Sequence, residues 1–79
     1  MRENEKFLKA LGKNIDMIRK EKKISFQEMA YRCDIEKANL VKLAGRGENI
    51  TANTLYKISK GLEVPLKIIF DFELPSKKS

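Results

Sequence analysis

The chain has 79 residues, enough for one small domain with an efficient core. It carries 17 Lys and Arg against 11 Asp and Glu, a formal net charge of +6, and such a balance attracts polyanions, nucleic acid first. With no histidine and a single cysteine, it lacks the residues of disulfide frameworks, soft-metal centres and histidine acid–base chemistry. No enzyme, metal or cofactor is therefore expected, and a reducing cytoplasm is the natural setting. No secretory signal is visible, and no apolar run has the length to span a membrane.

In chain order, the spacing predicts a first helix from about Glu3 to Lys22. Phe7, Leu8, Leu11, Ile15 and Ile18 recur at helical intervals, while Lys9, Lys13, Asp16, Arg19 and Lys20 read as a solvated face. Gly12 inside it costs about 1 kcal/mol relative to Ala and offers room for a close neighbour. After a charged loop at Glu21, Lys22 and Lys23, Ser25 stands as an N-cap and Glu28 completes a capping box. Phe26, Met29, Ala30 and Cys33 then form one apolar face, which makes Cys33 a small core residue and not a reactive thiol.

Asp34 interrupts, and a third helix follows with Ile35, Leu40 and Leu43 inward. Its Glu36, Lys37, Ala38, Asn39, Val41 and Lys42 are polar or small and point outward. Two short helices joined by so tight a turn, the second with a small and basic outer face, fit the major groove of DNA. Gly45, Arg46, Gly47, Glu48 and Asn49 read as a loop. A fourth helix after Thr51 buries Leu55, Ile58 and Leu62. Pro65 opens a last helix burying Leu66, Ile69 and Phe70. Phe70 to Leu74 alternates apolar and polar residues, a strand-like signal. Residues 1–75 thus form one domain, with 76–79 a frayed basic tail.

A hydrophobic staple joins the residue before an N-cap to the fourth helical residue. Ile24 and Met29 bracket Ser25 in this way, Ile35 and Leu40 bracket Glu36, Ile50 and Leu55 bracket Thr51, and Val64 and Ile69 bracket Pro65. Glu36 and Pro65 are poor caps, which leaves a residue or two of play there.

So arranged, "LGKNIDMIRKEKKIS", "FQEMAYRCDIEKANLVKL" and "ITANTLYKISKGLEVPL" resemble the phage-repressor and Cro-like helix-turn-helix regulators, also called the xenobiotic-response-element family. The resemblance spans about Leu11 to Phe70. Small stand-alone members, such as the controller proteins of restriction–modification systems, are similar in size and layout. It implies an all-α, compact five-helix, lambda-repressor-like fold with the helix-turn-helix at the second and third helices. The implied function is sequence-specific transcription regulation by a homodimer on a pseudo-palindromic operator in double-stranded DNA. Three positions depart from the family pattern. Phe26 replaces a phosphate-contacting Gln, Asp34 stands where Gly is common, and Ala44 with Gly45 replaces a terminal Glu.

The resemblance places base contacts at Lys37, Ala38, Asn39 and Lys42. Lys37 can donate to guanine, Ala38 can pack on a thymine methyl, and Asn39 can reach adenine or a phosphate. Phosphate contacts fall to the helix start at Phe26 and Gln27, and to Arg46, Asn49 and Asn53. Glu36 is grouped with them, with cytosine N4 or simple capping as its other roles. Tyr31 faces either a phosphate or a packing role. The apolar residues Leu66, Ile68, Ile69, Phe70 and Phe72 exceed what one small core consumes, so they are expected to form a dimer interface, extended by pairing of Phe70–Leu74 strands. Folding back onto the first helix is their competing role. The alternative function is an antitoxin or adaptor that mainly binds a protein partner. Phe26 favours it, and the basic third helix opposes it.

Overall fold

The computed structural model describes residues 2–74. The chain forms α1 (Glu3–Glu21), α2 (Phe26–Cys33), α3 (Lys37–Arg46), α4 (Ala52–Leu62) and α5 (Leu66–Ile69). The all-α, five-helix expectation is therefore what the sequence builds.

Local chemistry sets the boundaries. Ser25 Oγ accepts from the Glu28 N–H at 3.0 Å to start α2, and Thr51 Oγ1 accepts from the Thr54 N–H at 3.1 Å to start α4. Asp34, Gly47 and Glu63 end α2, α3 and α4 in the left-handed region, at φ 56°, 72° and 58°. The Ile35 N–H then donates to Ala30 O at 3.1 Å, which closes α2 and turns the chain into α3.

Both residues of all four staple pairs turn to the core: Ile24, Ile35, Ile50 and Val64 are partly buried against it, and Met29, Leu40, Leu55 and Ile69 lie inside it. The starts of α2, α3, α4 and α5 are thus each anchored on both sides of the cap. Leu11, Ile15 and Ile18 of α1 meet Met29 and Cys33 of α2, Leu40 and Leu43 of α3, Leu55, Ile58 and Leu62 of α4, and Ile69 of α5 in one buried cluster.

Close approach holds the layers together. Gly12 lies against the Leu43 and Ala44 carbonyls, so α1 and α3 meet backbone to backbone. Gly61 likewise brings α4 onto Arg32 and Cys33 at the end of α2. Asn14 Nδ2 donates to Ile68 O at 3.1 Å and Ile69 O at 2.7 Å, which ties the end of α5 to α1. Ser59 Oγ donates to Val64 O at 2.6 Å and fixes the turn into α5.

Several expectations need correction. Leu66 and Phe70, expected inside with Ile69, are exposed, because the four-residue α5 turns only Ile69 into the core. α1 ends at Glu21, one residue early. The capping box is half made, because Glu28 Oε2 accepts from Arg32 Nε at 2.8 Å instead of reaching back. Gly45 and Arg46 belong to α3, which runs on until Gly47 supplies the positive φ; Asn49, also at positive φ of 62°, makes the turn after it.

The remaining corrections concern the end of the fold. Phe70–Leu74 forms no strand within the described chain. Phe72 instead folds back so that its ring stands 6.1 Å from Phe7 on α1. Ile69 is fully buried in the chain's own core, so it has no surface to give a second copy. Pro75 and the expected tail at 76–79 lie outside the described residues.

Candidate nucleic-acid interface

α3 buries Leu40, Leu43 and Ala44 and turns its other side to solvent. At 100° per residue, Ala38 and Lys42 point almost directly away from that buried stripe, Lys37 and Val41 flank them on one side, and Asn39 and Arg46 on the other. All of these are exposed. The face is cationic at three positions and carries no acidic side chain past Glu36.

Asn39 is not aimed with Lys37 and Lys42. Its Nδ2 donates to Glu36 Oε1 at 3.3 Å, and both line a shallow depression with Asn49, Thr54 and Lys57. Lys57 Nζ donates to Asp34 O at 3.3 Å, so the turn between α2 and α3 is braced from α4. Glu36 makes no side-chain cap bond. Its carboxylate repels phosphate, which leaves its main chain as the only part suited to that role.

The α2 N-terminus carries a further device. Phe26 stands at the first position of α2, and its ring is covered by Arg19, whose guanidinium carbon sits 4.0 Å from the ring centroid. Arg19 Nη1 also donates to Ile24 O at 2.7 Å, and its Nε to Asp16 Oδ1 at 3.0 Å. Arg19 is thus a brace for the α1–α2 loop and not part of a solvated face. With Ser25 capping Glu28, the N–H groups of Phe26 and Gln27 point out of the helix start, where the helix dipole favours an anion.

Arg46 at the end of α3 is largely exposed, with only a 3.5 Å contact to Glu48. Asn49 and Asn53 flank the start of α4 and are exposed. Tyr31 is 84% exposed on the outer side of α2, which settles against a packing role within this chain. Val41, at 43% exposure, is a large apolar residue on the outer face of α3 that the periodicity had marked only as outward; its signal was an unspent apolar residue on an otherwise polar face. Burial pushes the Cys33 thiol up to about 11, against a smaller opposing effect of Arg32, so Cys33 is an inert core group.

On the far side, Leu66, Ile68 and Phe70 are exposed around α5, while Phe72 is partly covered by Phe7 and Ile69 is enclosed. Met17 is exposed one turn after Asn14, the residue that holds α5.

A family model described as a Cro/C1-type HTH DNA-binding domain matches residues 14–74. Among solved structures, the restriction-modification controller protein C.AhdI from Aeromonas hydrophila is similar with a TM-score of 0.76, over 80% of this chain and 96% of that one, at 16% identity. At that identity the likeness is one of fold. A point variant of the restriction-modification controller protein C.Esp1396I gives a TM-score of 0.77 at 28% identity, covering 82% of this chain and 84% of that one. A second variant of the same protein gives 0.76 at 29%, covering 82% and 87%. Comparison with curated proteins gives no match.

Proposed function

The chain belongs to the family of Cro/C1-type helix-turn-helix DNA-binding domains, and on that premise we propose that it regulates transcription as a homodimer bound to a pseudo-palindromic operator. The exposed basic face of α3, set on a braced α2–turn–α3 unit, carries this reading. Lys37, Ala38 and Lys42 enter the major groove and meet base edges. Asn39, held on the flank by Glu36, reaches an adenine or phosphate at the groove wall. The N–H groups of Phe26 and Gln27, together with Arg46, Asn49 and Asn53, contact phosphates and fix the register without reading sequence.

One α3 offers too few base contacts for a specific site. Two copies related by a two-fold axis double them over half-sites about 34 Å apart. The exposed Leu66, Ile68 and Phe70, with the outer edge of Phe72 and with Met17, form the surface for that contact. Glu36 contributes through its main chain or through cytosine N4.

Selection of bound duplexes from a random pool tests the proposal. Enrichment of a two-fold-symmetric sequence is the expected result, with affinity that falls steeply as salt rises. The second reading, an antitoxin or adaptor that mainly binds a protein, draws on one observation. Phe26 is folded under Arg19 and offers DNA no polar side chain where the family usually does. Weak, salt-insensitive binding to every duplex would favour it and overturn the operator reading.

A further inference from the structure

We propose that Val41 determines sequence specificity by packing on the 5-methyl group of a thymine, an inference that rests on the DNA-binding reading above. Val41 is an exposed apolar residue within a helix whose other outward side chains are polar, cationic or small. The fold makes no use of it, since it is absent from the buried cluster and from the partly buried residues packed around it. Helix formation does not call for it either, because a β-branched residue is a poorer helix former than Ala or Lys at an exposed position.

Its place is what gives it a use. Val41 lies about 40° around the helix from Lys37 and about 60° from Ala38, so the three side chains share one strip of the outer face. In the major groove only thymine presents a methyl group, whereas cytosine presents an amino donor at its groove edge. Lysines alone favour the acceptors of guanine and say little about which pyrimidine stands beside it. An apolar patch made by Val41 and Ala38 next to Lys37 supplies that missing discrimination. The half-site therefore pairs a guanine, facing Lys37, with a thymine close by.

The test begins with the duplex selected from a random pool and replaces each thymine in turn by deoxyuridine, which removes the methyl and keeps the pairing. One position in each half-site is expected to weaken binding about fourfold, the equivalent of about 0.8 kcal/mol for one methyl-sized group. Val41→Ala protein should lose a similar factor on the unmodified duplex and should no longer distinguish thymine from uracil at that position. Its thermal melting should match or slightly exceed that of the unaltered protein, since Val41 is outside the core and Ala is the better helix former.

A duplex in which no thymine is sensitive, or one whose every sensitive thymine keeps its full effect in Val41→Ala, overturns the assignment while leaving DNA binding intact. Failure to enrich any duplex overturns the DNA reading itself and this inference with it.

Discussion

Gly12→Ala is expected to destabilise the fold, although the same exchange in an isolated helix stabilises it by about 1 kcal/mol. A Cβ at Gly12 would overlap the Leu43 carbonyl oxygen and would lie 3.3 Å from both Leu43 C and Ala44 O. The obstacle is backbone, and it is not free to yield. Leu43 O accepts from the Gly47 N–H at 2.9 Å, the bond that closes α3. α3 must therefore move away from α1 as a body and loosen the packing of Leu11, Ile15, Leu40 and Leu43.

Overpacking of this kind costs about 1–3 kcal/mol, and a rigid backbone obstacle belongs at the upper end. Set against the propensity gain, the net loss is about 2 kcal/mol, or a Tm about 8–16 °C lower for a domain of this size. Gly45→Ala provides the internal reference. A Cβ there meets nothing within 4 Å, so propensity acts alone and the Tm rises by up to about 4–8 °C. Thermal and urea unfolding followed by helical circular dichroism measures both. Gly12→Ala as stable as the unaltered protein would refute the close α1–α3 contact as the decisive term.

Lys37→Ala should lose about 1–3 kcal/mol of specific binding and relax preference at one position of each half-site; an equal loss on random duplex would make Lys37 a phosphate contact. Arg46→Ala should weaken binding to all sequences alike and lower the salt slope by roughly one per protomer, as an affinity series from low to high salt would show. Phe70→Glu should give a folded monomer by sedimentation, because Phe70 is exposed, whereas Ile69→Glu should unfold the chain by placing a charge in its core; a folded Ile69→Glu monomer would reverse that division. Cys33 should resist thiol reagents near pH 8 until the protein is unfolded. Its pKa rises from 9.0 to about 11 on folding, so the native state keeps a proton that the unfolded state releases, and stability should fall as pH climbs from 9 towards 11. A urea midpoint that falls no faster over that range than in Cys33→Ala would contradict this.

The helices and their starting points were legible in the sequence because both rest on local physics. Ser25 and Thr51 are caps whose oxygens need only reach three residues along. The four staples pair residues five apart, which the chain itself brings together. The outward face of α3 followed from the same periodicity, since burying Leu40 and Leu43 turns Ala38 and Lys42 outward and leaves Lys37 on their flank.

What tertiary structure decided was every question of partners distant in sequence. Arg19 looked like a solvated cation until α2 brought Phe26 beneath it. Phe70–Leu74 had the alternation of a strand, yet within the chain Phe72 packs beside Phe7. Ile69 belonged to a staple and to a suspected interface at once, and only the enclosure of α5 between α1 and α4 assigned it to the core. Periodicity records which side of a helix is apolar. Whether that side meets the chain's own core or a second molecule depends on how much of it the other helices cover, and that is settled only when they pack.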